Sequence, residues 1–554
     1  MEGVVRWPRE FEDEYRRRGY WQDVAFGEHL DRVVEAYADR AALAYDGRDI
    51  SYREMGEGVD RIACLLAELG VNTYDRVVMQ LFNVPELVYV FYACLKIGAI
   101  PICSLPTHRS AEIGFLARET QARVHVIPGG EVKGFDYDEF AVVMRKEAPS
   151  LEFLLTLGEP KQPGAASLRR SLERPLDQGT VRGRLSRFSP DPAEPVVFQL
   201  SGGTTGTPKL IPRTHNDYYY NAKAVAAALG LTQDDRVLIP MPLMHNGPIV
   251  NGLLPCHLLG ACCVLTESFS PESILRAISS SRVTILGSVV VLMYRMLECP
   301  KELREKYDLG SVRLIWWSGN IPPEDQLKLK EMFGGCDLGQ NYGMAEGLIC
   351  LTRSSDPMET KMGTVGRPVS EGDEVRLMDV DTGREVAVGE VGELWCRGPY
   401  TIRGYYKAPE RNLEAFSPDG FYKTGDLARK DAQGNYAWAG RVKDCISRGG
   451  EKINAEEVEV CIRSFRKVRE VAVVAMPDRT LEERVCAFVV PHEGVKMSLE
   501  ELNAFLVTHS GIAGFKVPER LELVPELPTT KVGKVDKKAL RARIAETLKA
   551  EAKG

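Results

Sequence analysis

The 554-residue sequence predicts an α/β protein with mostly parallel sheets and flanking helices, followed by a smaller α+β unit. Three observations carry that expectation. Helical and strand-like segments alternate from about residue 48 onward, the pattern of successive βα units. A loop rich in glycine and threonine follows an apolar strand in mid-chain. Beyond about Asp444 the tail has strands and helices of its own, about 110 residues in all, a normal size for a domain.

In chain order, residues 52–69 have helical periodicity with Gly70 as their stop, 76–81 are a short β-rich run, 85–97 are again helical and 99–103 are extended. Residues 158–192, polar and rich in Pro, Gly and Ser, predict a surface connection. Residues 194–199 read as a buried strand feeding the Gly/Thr loop, and Cys262 and Cys263 sit in an apolar, strand-like core run. In the tail, 471–475 and 485–490 read as strands, and 455–465, 498–508 and 536–550 as helices. The junction lies at 440–444, and no internal repeat is present.

Composition narrows the function classes. Hydrophobic content of 44% and charged content of 27% are ordinary for a globular enzyme. A net charge of −7 without a long basic run disfavours a nucleic-acid partner. The first eight residues lack the apolar core of a signal peptide. The most apolar stretch, 87–103, is broken by Lys96 and Pro101 and is too short to span a bilayer. The thirteen cysteines are odd in number and scattered, with no Cys-x-x-Cys pair. They predict reduced, buried thiols in a cytoplasmic protein rather than disulfides or zinc ligands.

Five segments carry chemistry. Residues 199–209 pack three glycines, four hydroxyls and Lys209 into eleven positions. Glycine backbone lets successive N–H groups form a concave nest for phosphate oxygens, with the lysine supplying charge. This is not a Walker loop, since Pro208 precedes the lysine and Leu210 follows it. A flexible linker explains it poorly, because apolar segments flank it on both sides. Residues 339–347 combine Tyr342, several glycines and Glu346: a ring to stack on a base, room for close approach, and a carboxylate for a divalent cation near phosphates. Alone, that segment reads equally as a strand and loop with a solvated glutamate. Residues 422–426 end in Thr424-Gly425-Asp426, where two carboxylate oxygens can accept from two ribose hydroxyls, or cap a turn. Residues 447–453 hold Gly449 and Gly450 amid charges, a mobile loop or a simple turn. Residues 528–535 read as a lysine-rich loop in which Lys531, and beyond it Lys537 and Lys538, are solvated, while Lys534 follows Gly533.

The run Ser201-Gly202-Gly203-Thr204-Thr205-Gly206-Thr207-Pro208-Lys209 resembles the phosphate loop of the AMP-forming adenylating enzymes, which include acyl-CoA synthetases, peptide-synthetase adenylation domains and firefly luciferase. The other four motifs follow in that family's order, so the resemblance covers nearly the whole chain. It implies an N-terminal adenylation core, 1–442, a small mobile C-terminal domain, 443–554, and a hinge at Lys443. It implies ATP and Mg²⁺. Ser201, Gly202, Gly203, Thr204, Thr205 and Lys209 would surround the phosphates. Gly319, Asn320, Asn341, Tyr342, Gly343, Met344 and Ala345 would form the adenine side, with Tyr342 stacking. Glu346 would serve magnesium, Asp426 the ribose, and Arg441 the ribose or α-phosphate side. Lys534 would be the catalytic lysine that bridges substrate carboxylate and α-phosphate, and the 447–453 loop would reach the site for the second half-reaction.

His245-Asn246 resembles the stand-alone aryl-acid AMP ligases, such as the 2,3-dihydroxybenzoate–AMP ligases of siderophore pathways. By itself Asn246 reads as a cap or turn residue. In that family its amide donates to the ortho hydroxyl and carboxylate of a salicylate-type acid. The resemblance implies a catalytic role for His245 and substrate contacts from Asn246, Gly247, Asn251, Gly319 and Ile349. Residues 343–348 and 397–406 also resemble the aryl ligases, the second as a structural lineage marker. Two positions depart from the pattern: Gly247 replaces a ring-walling tyrosine, and Asn251 replaces a small Ser or Cys. Both point to a larger or nitrogen-bearing ortho-hydroxy or ortho-amino acid, such as 3-hydroxyanthranilate, 3-hydroxypicolinate or quinaldate. The implied reaction makes an aryl-adenylate, then an aryl thioester on the phosphopantetheine of a separate carrier protein, since the sequence ends soon after the small domain. Free coenzyme A is the alternative acceptor. A non-catalytic scaffold is disfavoured by Lys534, Glu346 and Asp426, and no feature favours an oxygenase.

Overall fold

The computed structural model describes residues 1–201, 208–319, 321–448, 451–478, 481–510, 512, 514–530 and 534–551. Two compact units emerge, one of Met1–Glu374 with Cys396–Tyr422, the other of Val375–Trp395 with Lys423–Gly554.

In the first unit, among the described residues, one sheet of nine strands runs in the order Arg367–Pro368, Ile349–Leu351, Asp337–Gly343, Leu314–Ser318, Ile285–Val289, Arg236–Leu238, Cys262–Leu265, Ala41–Tyr45, Arg48–Ser51. Its centre is parallel and its edges antiparallel. The second sheet, of seven strands, is parallel apart from the hairpin of Pro195–Ser201 with Lys209–Thr214 at one edge. Helices packed on these sheets supply the crossovers that parallel strands require.

Local chemistry explains the helix limits. Ser51 and Glu54 form a reciprocal capping box at the start of Tyr52–Glu68, and Gly70 beyond its end has φ +78°. Helix Pro85–Ile97 opens on a proline and stops at Gly98, φ +72°. It is buried on nearly every face; Lys96 keeps its ammonium paired with Asp31 and Asp60, at 2.6 Å each. The parallel-sheet expectation is met, and Cys262 and Cys263 lie in a buried strand. The expected strand at 76–81 stops at Met79, although Gln80 N still donates to the Val126 carbonyl at 2.9 Å, and the Gln80 side chain bonds the His108 carbonyl and His125. The expected connection at 158–192 instead contains a short strand, Ala166–Ser167, and helices Leu168–Leu172 and Gln178–Leu185. Ser167 and Asp177 cap those helices, and Leu168 and Val181 anchor them.

The second unit holds a four-stranded sheet, Glu374–Met378, Val391–Arg397, Tyr422–Lys430, Tyr436–Arg441, and a five-stranded sheet built on the long antiparallel pair Val468–Asp478 and Glu482–Pro491. Helices Ala455–Arg463, Leu499–His509 and Lys537–Glu551 fall close to their expected positions. This unit takes in residues on both sides of the 442/443 boundary. Gly440 explains part of that: a Cβ there would lie 2.5 Å from Asn454 Oδ1, so only glycine lets the two segments approach. Lys537 is not a solvated lysine, for its Nζ lies 2.7 Å from buried Glu459. Among the described residues, no cysteine forms a disulfide and no helix is long and apolar enough to cross a membrane.

One buried side chain ties the functional part of the first unit together. Arg213 is fully buried. Its Nε donates to Asp217 at 2.8 Å, Nη1 to the Ala345 carbonyl at 3.1 Å, and Nη2 to Asn221 and the Tyr400 carbonyl at 3.3 Å each. Asp217 also caps helix His215–Ala228, accepting from Thr214 N at 2.7 Å. Burial raises the Asp217 pKa, opposed by Arg213 and Thr214. Removing one partner of such a pair leaves an uncompensated buried charge. Arg213→Met is therefore expected to cost about 3–5 kcal/mol in denaturant unfolding, with Arg213→Met/Asp217→Leu recovering most of it. A single-variant cost within experimental error of zero would contradict this role.

Candidate active site

The parallel strands of the nine-stranded sheet bring Val289, Ser318 and Asn341 into register at their C-terminal ends. In open α/β sheets ligands bind outside these ends. Gly319 follows with φ +108°, and a Cβ on it would lie 2.6 Å from Val290 Cγ2, so the turn accepts only glycine. Ser318 Oγ donates to Asn341 Oδ1 at 2.8 Å, which leaves the Asn341 amide nitrogen buried and, among the described residues, without a partner. A buried donor in that condition suits a base or phosphate acceptor. Tyr342 is half-buried at the strand end beside exposed Gly343. Buried Ile349 pairs opposite Gly343, whose absent Cβ would sit 3.2 Å from Ile349 Cγ1. Of the expected adenine-side residues, Asn320 lies outside the described residues.

The hairpin that carries the glycine–threonine loop pairs Ser201 with Lys209 in register. Gly202, Gly203, Thr204 and Thr205 lie outside the described residues, as do Gly449, Gly450, Lys531 and Gly533. Lys209 Nζ donates to Tyr405 Oη at 3.2 Å, and Tyr405 donates to Glu346 Oε1 at 2.8 Å. Glu346 is buried, and its main-chain carbonyl accepts from Ile402 N at 2.8 Å. The next residue, Gly347, could not carry a Cβ, which would meet Thr401 Cα at 2.5 Å. Among the described residues no cluster of three or more metal-ligating side chains exists. One buried carboxylate linked through Tyr405 to a lysine nevertheless fits magnesium, which takes one or two protein carboxylates and completes its shell from phosphates and water.

On the aryl side, His245 is the N-cap of the one-turn helix Asn246–Pro248. A five-residue π-helical turn, Ile249–Leu253, continues it, a geometry frequent at functional sites. Tyr218 donates to Asn246 Oδ1 at 3.0 Å and accepts from Gln199 Nε2 at 3.0 Å. The Asn246 amide nitrogen makes a long, 3.5 Å bond to the Met344 carbonyl. Gly247 faces open space, with nothing within 4 Å of where its Cβ would be. Asn251 is 5% exposed, and its Oδ1 has no partner among the described residues.

The second unit has its own polar cluster. Asp426 and Arg441 are cross-strand partners, with Arg441 Nε 2.9 Å from Asp426 Oδ1. The turn before Asp426 is set by Gly425, φ +71°, whose N–H donates to Glu393. Lys534 sits on a tight loop, where Thr530 N donates to its carbonyl at 2.6 Å and its own N–H donates to Thr530 Oγ1 at 3.2 Å. Burial and Arg441 lower the Lys534 pKa below its ordinary 10.5, with Asp426 opposing. Lys443 occupies a single 3-10 turn, Val442–Asp444, and Arg541 Nη1 donates to Asp444 at 3.0 Å.

Several structural partners were not singled out from sequence. Arg213 and Asp217 had a signal, the Thr214-x-x-Asp217 capping pattern at a helix start. Tyr405 lies in a stretch read only as a lineage marker. Tyr218 carried no local signal, because its contact with Asn246 spans 28 residues, and Tyr422 was read only as the start of the segment ending in Asp426.

The AMP-binding enzyme family matches residues 30–406, and the AMP-binding enzyme C-terminal domain matches residues 457–534. The chain is 40% identical over 542 residues to a salicylyl-CoA synthase / salicylate adenylyltransferase of a Streptomyces species, covering 98% of this chain and 97% of the relative. It is 39% identical over 550 residues to the 2,3-dihydroxybenzoate-AMP ligase of Bacillus subtilis (strain 168), covering 99% of both. Among solved structures, apo MbtA of Mycobacterium smegmatis is similar at a TM-score of 0.72 and 36% identity, covering 98% of this chain and 99% of that one.

Proposed function

The chain belongs to the AMP-binding enzyme family, and from that premise we propose that it is an aryl-acid AMP ligase that activates an aryl carboxylic acid as its adenylate and passes the aryl group to a phosphopantetheine thiol. The observation that carries the aryl reading is the orientation of Asn246. Tyr218 occupies its amide oxygen, so the amide nitrogen is the end offered to a carboxylate or an ortho hydroxyl. The two curated relatives are named for salicylate and 2,3-dihydroxybenzoate.

The substrate acid is ionised at neutral pH, so no general base is needed. Its carboxylate oxygen attacks the α-phosphorus of ATP and pyrophosphate leaves. Two anions meet in that step, and Lys534 offsets their repulsion in the transition state. His245 completes the catalytic pair carried over from the family, at the head of the aryl segment. Ser201, Lys209 and the glycine–threonine loop between them hold the phosphates. Gly319, Asn320, Asn341, Tyr342, Gly343, Met344 and Ala345 hold the adenine, with Tyr342 stacking and the Asn341 amide nitrogen donating. Asp426 binds the ribose and Arg441 the adjoining phosphate side. Glu346 would hold a magnesium ion, which would supply charge neutralisation on the phosphates. The 443–554 segment then turns about Lys443, and the 447–453 loop serves the thiol step. The thiol sulfur attacks the acyl carbon and AMP departs.

The acceptor thiol is that of a separate carrier protein. Free coenzyme A is the second reading, favoured by the CoA in one relative's name. Adenylate offered to both acceptors separates the two readings by relative rate.

The acid itself is larger than salicylate or carries an added donor. Gly247 leaves open space, and buried Asn251 Oδ1 needs an N–H or O–H partner. Asn246, Gly247, Asn251, Gly319 and Ile349 form its surroundings. This favours 3-hydroxyanthranilate, whose amine adds a donor, over 3-hydroxypicolinate, whose ring nitrogen only accepts, and over quinaldate, which has no donor to offer.

Acid-dependent ATP–pyrophosphate exchange across a panel of aryl acids and a medium-chain fatty acid tests the reading. Exchange is expected with ortho-substituted aryl acids, with the highest kcat/KM for a donor-bearing acid larger than salicylate. Exchange with the fatty acid alone would overturn the aryl assignment. Lys534→Ala is expected to slow adenylation by about 100-fold or more while sparing transfer from supplied aryl-adenylate. Equal loss of both steps would remove the role given to Lys534. Because its folded pKa lies below 10.5, the ammonium loses its proton earlier as pH rises. Adenylation should therefore decline as pH rises, with a midpoint below 10.5, and Lys534→Arg should move that limb upward.

A further inference from the structure

Tyr405 is fully buried, and its hydroxyl meets three polar groups. They are the Glu346 carboxylate at 2.8 Å, the Lys209 ammonium at 3.2 Å and the Tyr422 hydroxyl at 3.0 Å. The donor inventory fixes the direction of every bond. An ionised carboxylate only accepts and an ammonium only donates. The single Tyr405 proton therefore points to Glu346, and its two lone pairs receive Lys209 and Tyr422. The hydroxyl is saturated.

The phenol is held firmly. Tyr405 N donates to Asn412 Oδ1 at 2.8 Å, and Asn412 Nδ2 donates back to the Tyr405 carbonyl at 3.1 Å. The ring packs against Phe416 and Tyr422. Lys209 also lies over its face, with Nζ 4.7 Å from the ring centre. One neutral oxygen thus stands between an anion and a cation in a buried setting, where attraction between opposite charges is strong and grows as they approach. A direct Glu346–Lys209 ion pair would consume both charges.

We propose that Tyr405 is a positioning residue for ATP activation: its hydroxyl spaces Glu346 from Lys209 and orients both, so that neither charge is spent on the other, the carboxylate serving a divalent cation and the ammonium phosphate oxygens. This rests on the adenylating reading, yet it concerns ATP alone and is tested without any acid. Tyr422 completes the arrangement by donating to the same oxygen.

The test uses the full chain and equilibrium ATP binding, with and without Mg²⁺. Tyr405→Phe deletes one oxygen and keeps the ring. It is expected to weaken binding in both conditions by about tenfold or more, the scale of a lost hydrogen bond to charged groups. It should also raise the Mg²⁺ concentration for half-maximal binding several-fold, with KM for the aryl acid unchanged. Tyr422→Phe should shift the same quantities less. The decisive variant is Tyr405→Phe/Glu346→Gln. With the carboxylate charge gone, Lys209 is released and metal-free ATP binding should return toward the wild-type value. Tyr405→Phe with wild-type ATP affinity and Mg²⁺ dependence would overturn the proposal. So would a double variant no better than Tyr405→Phe in metal-free binding, or a loss in Tyr405→Phe matched by a lowered melting temperature and an equal rise in acid KM. Absence of exchange with every acid would instead count against the aryl reading and leave this test intact.

Discussion

Burying an arginine side chain completely, as the first unit does with Arg213, obliges the chain to supply an acceptor for each N–H it removes from water. Those acceptors come from distant segments. Asp217 and Asn221 belong to the helix after the phosphate hairpin, the Ala345 carbonyl to the loop that carries Glu346, and the Tyr400 carbonyl to a segment nearly two hundred residues away in sequence. The strand leading from Lys209, the acidic loop and the 400–405 segment are thereby referenced to one group. Tyr218 lies against the same guanidinium, 4.5 Å from its ring centre, and passes the constraint on to Asn246. The phosphate side and the aryl side of the first unit therefore share an anchor, although no catalytic atom belongs to it.

The same principle appears at smaller scale around Tyr405. There one neutral hydroxyl lies between the Glu346 carboxylate, at 2.8 Å, and the Lys209 ammonium, at 3.2 Å. The second unit solves a related problem differently. Asp426 and Arg441 pair directly across two strands, and Lys534 sits near both, with Arg441 lowering its pKa and Asp426 raising it.

Much of the fold was legible in the sequence, because the helices 52–68 and 85–97 carry their own start and stop signals and the parallel strands read as apolar runs. The segment 158–192 was misread since its composition is polar; the buried Leu168 and Val181 are single residues without periodicity. Lys537 was misread because nothing local betrays Glu459, buried in a neighbouring helix. At the site, the motifs revealed which residues carry charge and which turns need glycine. They did not reveal what holds those residues. Tyr405, Tyr218 and Arg213 act through contacts between segments far apart in the chain, and a sequence pattern records such contacts only when both partners obey a local rule, as Thr214 and Asp217 do.

The central claim is that the Asn246 amide, oriented by Tyr218 and thus by the Arg213 anchor, receives the acid. A crystal structure with a non-hydrolysable aryl-adenylate analogue tests it most directly. The account expects the ortho substituent and the acyl oxygen within hydrogen-bond distance of Asn246 Nδ2, the Tyr218–Asn246 bond intact, and a ligand donor on Asn251 Oδ1 when the acid carries one. An aryl ring seated elsewhere, or an Asn246 amide turned away from it with Tyr218 released, would contradict it.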